Sequence, residues 1–99
     1  MRPPALADEA ACPALPRWAR LHFDRVRDRW VLLAPERVLF LCPTSIAILE
    51  RCDGRTPLGR IVDDLAAEHE APRETIRLDV VAMLQDLRDQ NFLTMNAPP

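Results

Sequence analysis

No lysine and no tyrosine occur among these 99 residues, and glycine occurs only twice. The lack of lysine is read as base bias in the encoding DNA: all 13 basic residues are arginine, and no single bidentate site explains arginine at every position. Gly54 and Gly59 alone cannot build a phosphate-cradling loop, which needs several backbone amides unobstructed by side chains. Serine is confined to Ser45 at a helix start, and the two histidines, His22 and His69, lie far apart. No nucleophile and base are therefore placed to act together, and no enzyme activity is expected. Cys12, Cys42 and Cys52 form no C-x-x-C pair and have no metal-ligand spacing with either histidine. If Cys42 and Cys52 bracket one helix they stand about 15 Å apart, beyond the ~7 Å limit for a disulfide. Free thiols are expected, with Cys52 a small buried apolar residue. No cofactor or metal site is expected. No apolar run approaches the ~20 residues of a membrane span. Proline and the early Asp8 and Glu9 interrupt any signal-like core, so the expected location is the cytoplasm.

What is present suits one small folded domain, with 48% hydrophobic and 28% charged residues. Charge is divided unevenly. Up to Arg60 the chain carries ten arginines against seven acids, and from Ile61 onward three against eight. The front half is mildly basic and the back half acidic.

Residues 1–16 contain four prolines and no apolar period, which predicts a flexible arm, and 96–99 a disordered tail. Between them, 17–95, lies the expected domain. "RLHFDRV" alternates, with Leu21 and Phe23 on one face and Arg20, His22 and Asp24 on the other. "RWVLL" and "RVLFL" follow after short turns, giving a three-stranded antiparallel meander. At "CPTSIAILERCDG" the period changes to 3.6. Pro43 opens a first helix that runs on to Asp53 and Gly54. Thr56 as N-cap and Pro57 at the first helical position open a second, whose stripe includes His69, expected half-buried. A third spans about Pro72 to Gln90, with Ile76, Val80, Met83, Leu84 and Leu87 inward. Asn91 is expected in the left-handed region, with Phe92 folded back on that stripe. The fold class is therefore α+β and winged-helix-like, a three-stranded meander followed by three helices.

Such a shape raises nucleic-acid binding or a regulatory role as one function. The third helix, which would enter the groove, sums to −1, from Arg73, Arg77 and Arg88 against Glu74, Asp79, Asp86 and Asp89. Phosphate recognition needs a basic surface. Peptide binding accounts for more of the pattern. "RWVLLAPERVLFLCP" is apolar at nearly every strand position, so both faces of its hairpin call for cover, and its second strand is a sheet edge. An added peptide strand would use that edge. The expected site joins Arg37, Val38, Leu39, Phe40 and Leu41 with one flank of the third helix, Arg77, Leu78, Val81, Gln85 and Arg88. A homodimer through the apolar hairpin is the competing use.

The segments "RWVLLAPERVLFL", "TSIAILERCDGRTPLGRIVDDLA" and "IRLDVVAMLQDLRDQNFL" resemble the pyrroloquinoline quinone (PQQ) biosynthesis protein D family across roughly Arg17 to Met95. The residues most alike are Leu41, Ile48-Leu49, Cys52-Asp53-Gly54, Thr56, Ile61 and Leu65, then Asp79, Leu84 and Leu87. The resemblance implies a non-catalytic peptide chaperone that binds the precursor peptide PqqA and presents it to the radical-SAM enzyme PqqE. It also implies that the peptide joins the third strand of the meander, in a cleft against the third helix. Cys42 stands where the family usually has Asn or Asp, Arg51 replaces an apolar residue, and Asn91 stands where glycine is common.

Overall fold

The computed structural model describes residues 8–97. Three strands follow the alternation in the sequence: β2, Arg20–Asp24; β3, Arg29–Ala34; and β4, Arg37–Phe40. They pair antiparallel in the order β2-β3-β4. Pairing sets Leu21, Leu32 and Leu39 side by side on one face. That inner face packs on the helices: Leu32 is fully buried, and Leu21 and Leu39 pack on the same cluster. The β2-β3 turn is held by Asp24, whose carboxylate accepts from the Val26 and Arg27 amides and the Arg27 guanidinium. Phe23 and Trp30 finish that end of the sheet edge to face, centroids 5.5 Å apart.

Three helices complete the expected α+β order: α1, Pro43–Leu49; α2, Leu58–Glu68; and α3, Arg73–Asp89. Ile48, Leu49, Leu58, Ile61, Leu65, Val80 and Leu84 form the core with Leu32 and Leu41. Helix α1 is shorter than its 3.6 period implies. It ends at Leu49, and the chain tightens to three-residue bonds from Arg51 to Ile48 and from Cys52 to Leu49 before Gly54 turns it at φ 79°. Cys42 is its N-cap but bonds no backbone amide from its side chain. Thr56 is not the N-cap of α2. Asp53 takes it into a loop instead, accepting from the Arg55 and Thr56 amides and the Thr56 hydroxyl, and Pro57 stands at the cap. His69 is exposed rather than half-buried, because α2 ends at it. Helix α3 ends as the sequence indicates. Asn91 lies at φ 65°, its amide reaches Arg88 O, and that of Phe92 reaches Leu87 O, the paired bonds of a Schellman ending. Phe92 is buried against the stripe.

The chain ends depart from expectation. Residues 1–7 and 98–99 of the expected arm and tail lie outside the described residues. The rest of the arm is built into the fold. Cys12–Ala14 forms β1, paired antiparallel with β5, Thr94–Asn96, so the expected tail begins inside a strand. Ala11, Cys12 and Pro13 are buried. Pro13 costs little, because its carbonyl accepts from Gly54 N on the side away from β5. Upstream, Ala11 O and Glu9 O accept from the amides of Leu58 and Gly59, donors at the start of α2 that no helical carbonyl reaches. Glu9 also pairs with Arg73, which in turn holds Asp63. Proline and small residues indicated flexibility; partners distant in sequence order the segment.

Candidate peptide-binding edge

Among the described residues strand β4 pairs with β3 alone, so one row of its backbone groups faces outward. Which groups these are follows from register. The Leu41 amide donates to Trp30 O across the ladder, which sets Leu41 and Trp30 at a hydrogen-bonding position of the register. In an antiparallel ladder such pairs alternate, so Leu39 and Arg37 also direct their N–H and C=O toward β3, opposite Leu32 and Ala34. Val38 and Phe40 are left with theirs at the open edge. Their side chains lie on the outer face of the sheet and are each 50% exposed. Val31 and Leu33, their partners in register, share that face, Val31 buried and Leu33 partly so.

The N-terminal end of β4 is fastened to the end of α3. Arg37 donates from Nη1 to Gln90 O and from Nη2 to Gln90 Oε1, both at 2.8 Å, and its guanidinium lies 4.5 Å from the centre of the Phe92 ring. Gln90 Nε2 donates in turn to Asp86 Oδ2 at 3.2 Å. At this junction is an open groove of about 390 Å³, lined by Trp18, Ala34, Pro35, Arg37, Gln90 and Phe92 among others.

The structure therefore brings together the strand half of the expected site, Arg37, Val38, Leu39, Phe40 and Leu41, with Leu41 buried in the core. It places the helix half elsewhere. At about 100° per residue, Gln90 lies roughly 160° round α3 from the stripe of Arg77, Val81 and Arg88, on the flank it shares with Met83 and Asp86. Arg77 is paired with Glu74, and this hydrogen bond holds the Glu74 carboxyl below its ordinary value. The same hydrogen bond with Glu74 raises the pKa of Arg77, to which the charge of Glu9 on the N-terminal segment adds a smaller share. Val81 packs against the core, Gln85 donates to Asp89, and Leu78 is exposed. Among the described residues no hydrogen bond or ion pair joins these five to β4. Gln90 was missed because it meets Arg37 across 53 residues, and no local pattern marks such a pair.

Among the described residues no cluster of three or more His, Cys, Asp or Glu could hold a metal ion, and no helix is long and apolar enough to cross a membrane. An α+β domain with an open strand edge beside a groove defines a binding module. The comparisons specify which kind. The family model for coenzyme PQQ synthesis protein D (PqqD) matches residues 29–93. A PqqA binding protein of Rhodopseudomonas palustris (strain BisB5) is 55% identical over 86 residues, 87% of this chain and 84% of that relative. One of Xanthomonas campestris pv. campestris (strain 8004) is 41% identical, over 86% and 92%. The solution NMR structure of the PqqD truncation of Methylobacterium extorquens PqqCD, described as a stand-alone RiPP recognition element, aligns with a TM-score of 0.75. It is 38% identical, over 94% of this chain and 98% of that one. The chain belongs to the PqqD family.

Proposed function

We propose that this chain is a non-catalytic carrier of PQQ biosynthesis, acting in the cytoplasm, that takes the precursor peptide PqqA as an added strand on β4 and presents it to the radical-SAM enzyme PqqE. The observation that carries the strand-addition part is the unpaired backbone of Val38 and Phe40 on an edge flanked by apolar side chains. Membership of a family whose relatives are named for binding PqqA supports the choice of peptide. On the helix side we assign the cleft wall to Met83, Asp86 and Gln90, the flank tied to β4, in place of Arg77, Leu78, Val81, Gln85 and Arg88. Nucleic-acid binding has no comparable support, since α3 is net acidic and the free edge would be idle.

The test is an amide-shift titration of the full chain with PqqA. The largest changes are expected from Val38 to Leu41 and at Met83, Asp86 and Gln90. Changes confined to the exposed faces of α1 and α2 would overturn strand addition.

A further inference from the structure

Beside the open edge, the outer face of the sheet carries a cationic cluster that the strand-addition reading does not use. Arg29 begins β3 on that face, and its guanidinium lies 4.6 Å from the centre of the Phe40 ring. Arg27, from the β2-β3 turn, lies 5.7 Å from the same ring and is paired with Asp24. Arg20 lies further along the face, on β2. Two arginines thus flank a half-exposed phenylalanine, and Asp24, the register partner of Arg29, is engaged by Arg27. Among the described residues Arg29 has no hydrogen bond or ion pair at all. Its guanidinium rests on the π face of Phe40, a contact of about 0.5–1 kcal/mol where solvent has access, while Asp24 opposite it in register is turned to Arg27.

A strand added to β4 changes what Arg29 meets. It would lie about 4.8 Å from β4, and its residue opposite Phe40 would project onto the outer face with its Cβ about 5.5 Å from that of Phe40. A side chain there extends across the Phe40 ring, into reach of the Arg29 guanidinium. Resting on the peptide-carrier reading above, we propose that this position selects a carboxylate: the bound peptide bears Asp or Glu opposite Phe40, paired with Arg29 and stacked along the ring. A second copy of this chain does not fit the face as well. A twofold contact buries the same patch of both copies, which would gather Arg27 and Arg29 of each into one interface, and like charges brought together there are costly.

The experiment is binding of PqqA to the full-length chain, Arg29→Gln and Arg29→Lys at low and physiological salt, repeated with peptides in which each acidic residue in turn is replaced by its amide. Arg29→Gln is expected to weaken binding about threefold to fivefold at low salt and to flatten the salt dependence. Arg29→Lys should restore the salt dependence but not the full affinity, because an ammonium lacks the planar stack. One amide peptide should bind the wild type as weakly as it binds Arg29→Gln, placing its carboxylate opposite the arginine. Equal affinity of wild type and Arg29→Gln at low salt, while the shifts at Val38 and Phe40 persist, would overturn the carboxylate assignment and leave strand addition standing. Absence of shifts along β4 would remove both. Retained amide dispersion in the variants shows that the sheet is intact.

Discussion

Cys42 and Cys52 flank one helical segment and differ in every property that governs a thiol. Cys52 is buried, donates to Ile48 O at 3.3 Å, and desolvation pushes its pKa up to about 12. Cys42 is exposed, and the hydrogen bond with the Ser45 hydroxyl, 3.2 Å away, lowers its pKa. The thiolate is the reactive form. At neutral pH iodoacetamide is therefore expected to modify Cys42 in the native protein, with Cys12 and Cys52 reacting only after denaturation; mass spectrometry before and after urea checks this. Sequence reasoning anticipated the burial of Cys52 from its place on an apolar stripe. It could not separate Thr56 from Asp53 as the organiser of the next turn, since either side chain can accept from nearby amides, and the outcome depended on the backbone direction after Gly54.

At the scale of the element, β4 shows how register decides function. Val38 and Leu39 are neighbours of similar chemistry, yet the Leu39 amide points toward β3 and the Val38 amide to the open edge. Proline deletes one amide donor. Leu39→Pro is expected to break the ladder and lower stability by about 2 kcal/mol or more. Val38→Pro should stay within about 1 kcal/mol of wild type and yet lose the peptide. Urea midpoints beside binding curves separate the two, and equal destabilisation by both prolines would contradict the register. The strands themselves were legible because the alternation of β2, and the short apolar runs of β3 and β4 bounded by turn residues, are local signals. The wall opposite β4 was not, because helical periodicity identifies the buried stripe of α3 without saying which of its two flanks turns toward the sheet. The Arg37 grip on Gln90 ties the start of β4 to the end of that helix.

Taken as a whole, the molecule closes on itself at its ends. Strands β1 and β5 bring Cys12 beside Asn96, and the segment before β1 supplies the carbonyls that complete the start of α2. Gly59 fits closely there: an added Cβ would lie 2.8 Å from Glu9 Oε1 and 3.2 Å from Glu9 Cβ, so the Glu9 side chain would have to move aside. Deletion of residues 1–16 would uncover Leu58 and Met95 and strand two helix amides, at a cost on the order of 3 kcal/mol. A lower urea midpoint than the full chain is the expected result, and an unchanged midpoint would show that the segment adds nothing. By itself the sequence determined the meander, the three helices, the inward stripe of α3 and its ending at Asn91, because each depends on contacts within a few residues. Only the tertiary structure decided that the proline-rich start is a strand, that Val38 and Phe40 direct their backbone groups to the open edge, and that Arg29 lies over Phe40 with no ion pair among the described residues. Those depend on pairings between distant segments, whose partners no short pattern names.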